Sequence, residues 1–133
     1  MSTLHGSASR EGRRSNNEDA ALAVSESGLF AVSDGMGGLE AGEVASALAV
    51  DTLRAAAAEI AALRAGIAGD PSPAAKLALA DKVEALAQVA NEAIWDQARN
   101  RRSRMGATLS AAVIAGQAAF LAHTGDSRAY LVR

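Results

Sequence analysis

The sequence predicts an α+β fold, with helices lying on one face of an antiparallel sheet. Three observations predict it. Strand-like runs open the chain, a pair of long helical stretches fills its middle, and strand-like runs close it. The 133 residues are enough for one domain with its own core, so residues 1–133 read as a single unit.

The opening strands are Ala20–Val24 and Leu29–Val32, flanking Ser25–Gly28, a polar stretch of hairpin length. From Ala41 to about Ala65 the residues are strong helix formers. Val50, Leu53, Ala57 and Ile60 recur there at helical spacing. Gly66 to Pro73 carries glycine, aspartate and two prolines and should break that helix. A second helix is expected from Pro73 to about Arg99, with Leu79, Val83, Leu86, Ala90 and Ile94 on its buried face. The short linker implies an antiparallel helix pair. Three further strands are expected over Ala107–Ala115, Ala118–His123 and Arg128–Arg133, with Gly116-Gln117 forming a tight turn.

Composition narrows the function classes. Hydrophobic residues make up 50% and charged residues 21%, but aromatics only 3%, so Ala, Leu, Val and Ile must build the core. A net charge of -2 argues against a general nucleic-acid binder. The absence of cysteine excludes disulfides, thiol nucleophiles and cysteine-ligated zinc, and fits a reducing cytoplasm, the expected location. The N-terminal stretch lacks the apolar segment of a signal peptide, and no stretch reaches the roughly 20 apolar residues that span a bilayer.

Three clusters bear on chemistry. In Leu29–Gly38 an apolar run stops at Asp34-Gly35 and two more glycines follow. One reading is an ordinary Asp-Gly turn. The other is a carboxylate in a loop flexible enough to bring backbone carbonyls to a hard metal ion. Arg13–Asp19 sets two arginines before the adjacent carboxylates Glu18 and Asp19. It reads either as a solvated charged loop or as a phosphate-binding guanidinium beside a metal-binding acidic pair. His123–Arg128 reads either as a hairpin turn or as a loop delivering Asp126 to the same sheet edge. His123 itself reads as a partly buried strand residue. Arg99, Arg101, Arg102 and Arg104 form a basic cluster, whose default reading is a solvated helix end.

Taken together, these residues resemble the metal-dependent serine/threonine protein phosphatases of type 2C, the PPM family, and most closely their compact bacterial members. Four blocks match in order: Arg14-x-x-Asn17-Glu18-Asp19, Phe30–Gly38 continuing through Ala41–Ser46, Gly106–Leu109, and Thr124–Ala129. The resemblance implies a sandwich of two antiparallel sheets flanked by helix pairs, with a two-metal site at one end. It implies that Arg14 binds the substrate phosphate and that Asp19 and Asp34 ligate Mn²⁺ or Mg²⁺, Asp34 bridging two ions. The Gly35 carbonyl would be a further ligand, Glu18 would hold metal-associated water, and Asp126 would lie near a weaker third ion. Met36 stands where some relatives carry a histidine general acid. Two ions about 3.5–4 Å apart would activate water and clamp the attacking and leaving oxygens of a phosphate ester.

The same resemblance implies a chain roughly twice this length. The part unmatched here is the C-terminal half, with further aspartate ligands. The expectation is therefore a truncated phosphoserine/phosphothreonine phosphatase with little activity alone, acting on a phosphoprotein that a cognate kinase has modified. Its open sheet edges would favour self-association. The alternative is a non-catalytic phosphatase-like module that binds a phosphoprotein or a regulatory partner.

Overall fold

The computed structural model describes residues 4–12, 15–38 and 41–132. Strand β1 (Asp19–Val24) and strand β2 (Leu29–Met36) form a hairpin closed by a 3₁₀ turn over Ser25–Ser27. Helices α1 (Ala41–Ala55), α2 (Ala57–Gly69) and α3 (Pro73–Arg101) follow. The chain then returns as β3 (Gly106–Ala107), β4 (Leu109–Ala115) and β5 (Ala118–Thr124). The strands are antiparallel in the order β1-β2-β4-β5, and β3 pairs with the end of β2. β3 continues the register of β4 against β2, so Thr108, between them, stands opposite Asp34.

Alternation sorts the sheet into two faces. Leu22 of β1, Leu29, Ala31 and Ser33 of β2, and Leu109, Ala111, Val113 and Ala115 of β4 are buried beneath the helices. The opposite face carries Asp19, Ala21, Val32, Asp34 and Leu121, all exposed. The alanine-rich composition explains how closely α1 approaches. Ala41, Gly42, Ala45, Ser46 and Ala49 form a buried stripe of small residues against the sheet. Among the described residues no helix is long and apolar enough to cross a membrane.

The middle of the chain departs from the expected helix pair in two ways. The first helix is bent at Ala56, where a single i→i+3 bond (Ala56 N–H to Leu53 C=O, 3.2 Å) replaces the α pattern. The bend lets α1 cover β1 and β2 while α2 reaches β4 and the 3₁₀ turn. The helix also runs through Gly66 to Gly69. A helical glycine costs about 1 kcal/mol, but burying Ile67 one residue later gains about 1.5–3 kcal/mol, so packing outweighs propensity. The helix α3 starts where proline chemistry predicts. Ser72 caps it by accepting from the Ala75 N–H, and Pro73 occupies the first turn.

The last expected strand, Arg128–Arg133, does not form over the described residues 128–132. Tyr130, Leu131 and Val132 are exposed there. An apolar run needs a neighbour to become a strand. Here Ser127 is pinned to Thr108, and Arg128 and Ala129 pass over the open face of the sheet instead of returning along β5.

Arg64 ties α2 to the sheet. Its Nε donates to the Ile114 carbonyl (2.7 Å) and its guanidinium to the Glu26 carbonyl (3.2 Å). Arg64→Ala should lower stability by about 1–2 kcal/mol. The urea midpoint should fall with an unchanged slope.

Candidate functional site

In the antiparallel register of β1 and β2, Asp19 stands directly opposite Asp34. Residues so paired have Cβ atoms about 4.5–5.5 Å apart, and like charges there repel. Both residues are exposed on the face away from the helices. With Ser9, Ser33 and Ser127 they line a cavity of about 270 Å³. A hard cation between two such carboxylates would turn the repulsion into ligation by oxygen.

Thr108 fixes the backbone of Asp34. The Thr108 N–H donates to the Asp34 carbonyl (2.9 Å), and the Asp34 N–H donates to Thr108 Oγ1 (3.0 Å). Thr108 Oγ1 also shares a 2.6 Å hydrogen bond with Ser127 Oγ, and the Ser33 hydroxyl donates to the Thr108 carbonyl (2.6 Å). The loop after β5 is thus coupled to Asp34 through one threonine. Gly125 makes that approach possible: its φ is +95°, and a Cβ on it would fall 2.7 Å from Thr108 Cγ2.

Glycine also shapes the next position. The Gly35 N–H donates to the Glu18 carbonyl (3.0 Å). A Cβ on Gly35 would lie 1.9 Å from the Gly42 carbonyl oxygen, so α1 touches β2 backbone to backbone. The Glu18 side chain lies on this helix side. A Cβ on Gly42 would fall 2.7 Å from Glu18 Oε1.

The structure therefore brings Asp19, Asp34 and Gly35 to one end of the sheet, with Glu18 adjacent on the helix side. Arg14 lies outside the described residues. Asp126 is exposed, one residue before the pinned Ser127, and is not among the residues lining the cavity. Among the described residues, no three Asp, Glu or His side chains gather as a metal-holding group. His123 is exposed, not partly buried, because it falls on the open face of edge strand β5, where its Nδ1 is 2.8 Å from Ser110 Oγ. Thr108 and Ser127 had no role assigned from sequence, although both lie in the matched blocks. Their signal was a hydroxyl two residues after a glycine in each block, Gly106 and Gly125.

Residues 7–133 match the sequence model of the Protein phosphatase 2C family. The serine/threonine protein phosphatase PstP of Mycobacterium tuberculosis is 39% identical over 122 residues, covering 90% of this chain and 21% of that protein. The crystal structure of M. tuberculosis PstP/Ppp is similar at a TM-score of 0.67 and 37% identity, over 86% of this chain and 43% of that one. The PstP catalytic domain in complex with two manganese ions gives a TM-score of 0.63 at 37% identity, over 86% and 44%. PppA of Pseudomonas aeruginosa gives 0.59 at 36% identity, over 86% and 45%. The chain thus spans about a fifth of the length of PstP and under half of each solved chain. With its motifs in order, its fold shared and 127 consecutive residues matched, this chain belongs to the protein phosphatase 2C family.

Proposed function

We propose that this chain is part of a metal-dependent phosphoserine/phosphothreonine protein phosphatase. The observation that carries the reading is the Asp19–Asp34 pair, held opposite each other across β1 and β2 with the Gly35 carbonyl next in line. These are oxygen donors, the set that Mn²⁺ and Mg²⁺ prefer. The manganese-bound PstP catalytic domain supports the choice of ion.

Bound ions would neutralise phosphate charge and acidify water. Asp34, its backbone fixed by Thr108, would lie between two ions, and Asp19 would ligate from the neighbouring strand. Gly35 would offer its carbonyl at a point where no side chain fits. Glu18, from the α1 side, would orient water toward the phosphorus. Arg14 would hold two phosphate oxygens through its planar guanidinium. Asp126, next to the anchored Ser127, would lie near a weaker third ion.

The remaining ligands would come from sequence equivalent to the rest of the relatives' domain. That sequence would also add a second sheet over the open face, where Ala21, Val32 and Leu121 are exposed, and complete the sandwich. The same exposed face, and the open edges of β1 and β5, support self-association of the chain by itself. The substrate would be a phosphoprotein modified by a cognate kinase in the cytoplasm.

The test compares Mn²⁺-dependent hydrolysis of a phosphothreonine peptide by residues 1–133 and by a form extended past Arg133. The extended form should be active and the shorter one nearly inactive. An extended form that folds but does not hydrolyse the peptide would overturn the reading. The non-catalytic alternative rests on Arg14, which would hold a phosphate without a complete metal site. Calorimetry would show it as phosphopeptide binding by the 133-residue chain in EDTA.

A further inference from the structure

Beside the loop that follows Asp34 lies a cleft of about 760 Å³, separate from the aspartate cavity. Met36, Trp95, Arg99, Arg102, Arg104 and Met105 line it. Trp95, the sole tryptophan of the chain, is 65% exposed, and Met36 is 70% exposed. An exposed tryptophan and methionine flanked by arginines combine the residue types that anchor peptide recognition.

The helix end explains part of the arginine cluster. Helix polarity accounts for cations in the last turn of α3, where Arg99 and Arg101 sit. Arg102 is the cap itself, and Arg104 lies two residues beyond it. Arg102 takes the left-handed conformation (φ +52°) that glycine would adopt without strain, and its N–H caps the carbonyls of Ala98 and Arg99. Among the described residues the ion pairs are Arg54–Asp51 and Lys82–Glu59, so none involves this cluster. Ser103, which also borders the cleft, has a buried hydroxyl with no hydrogen-bond partner.

The cleft is joined to the candidate catalytic end. A Cβ on Gly37 would fall 2.9 Å from the Arg104 carbonyl oxygen, and one on Gly106 would fall 3.1 Å from Met36 Cε. The arginine segment therefore rests on the loop leaving β2. Met36 is two residues along the strand from Asp34, about 7 Å.

We propose that this cleft docks an acidic segment of the phosphoprotein substrate, with one apolar side chain on Trp95 and Met36 and carboxylates on Arg99, Arg102 and Arg104. The proposal rests on the phosphatase reading. At about 3.3 Å per residue, an extended substrate with its phosphate at Asp34 would reach the cleft two to four residues away. Three arginines line this cleft, whereas the chain as a whole has a net charge of -2 and lacks the broadly basic character of a nucleic-acid binder, which favours an acidic peptide.

The test uses Trp95 emission, which reports this cleft alone. The 133-residue chain is titrated in EDTA with an unphosphorylated peptide carrying one leucine among glutamates, and with its glutamine counterpart. The glutamate peptide should give a saturable change and the glutamine peptide a much weaker one. Arg99→Ala with Arg102→Gly should weaken binding about three- to tenfold without lowering Tm, because glycine suits position 102. Arg101→Ala, outside the cleft, should change it less than about twofold. No saturable change, equal response to both peptides, equal loss in the Arg101 variant, or tighter binding of an oligonucleotide would each overturn the inference. Phosphatase activity in the extended form without a peptide response sinks the cleft and leaves the phosphatase reading. A peptide response without that activity sinks the phosphatase reading, and with it the assignment of the acidic segment to a substrate.

Discussion

Gly35→Ala is expected to destabilise the chain by about 3 kcal/mol or more, the upper end of what overpacking costs. The added Cβ would fall 1.9 Å from the Gly42 carbonyl oxygen and 2.9 Å from the Glu18 carbonyl oxygen. Both obstacles are backbone, so no rotamer change relieves them. Either α1 withdraws from β2, exposing the Ala41-to-Ala49 stripe, or the β1–β2 hairpin opens at Asp19 and Asp34. Gly38→Ala is the matched control, since nothing lies within 4 Å of a Cβ there. Urea denaturation should show a large fall in midpoint for the first variant and little change for the second. Equal effects would mean that α1 does not touch β2 at this point.

This contact also marks how far the sequence could be read. The short apolar runs around Leu22, Leu29 and Leu109 and the helical spacing through Leu53 and Leu86 carried the α+β class, because run length and spacing separate strands from helices. The bend at Ala56 was not legible. It falls in Ala55–Ala58, where no glycine or proline marks it, and it answers to the sheet beneath. The strand expected over Arg128–Arg133 failed for a related reason, since strand formation depends on a neighbour. At the site, Asp19, Asp34 and Gly35 were legible as residue types, but their register was not. That Asp19 faces Asp34 follows from a hairpin whose 3₁₀ turn ends at Gly28 (φ +62°). Thr108 was least legible of all. Its work is done by an Oγ1 that meets Asp34 across 74 residues of sequence.

Asp19→Asn and Asp34→Asn should each abolish stabilisation by Mn²⁺ while leaving the metal-free chain folded. In the wild type the two carboxylates stand opposite each other across β1 and β2, both at exposed positions. Asp19→Asn changes one exposed side chain, so its stability in EDTA should stay within about 0.5 kcal/mol of wild type. Manganese should separate the variants from wild type. An ion that binds only the folded state at ten times its Kd adds about 1.4 kcal/mol, a rise in Tm of about 5 °C for a domain of this size. Neither variant should show that rise, because an amide supplies a neutral oxygen in place of a charged ligand. Activity of the form extended past Arg133 should fall at least about 100-fold in either variant, more than loss of a group that merely supports a ligand. Differential scanning calorimetry with and without Mn²⁺ separates the two effects. A manganese shift of equal size in wild type and both variants would place the ion elsewhere. A large loss of stability in EDTA would make the aspartates structural.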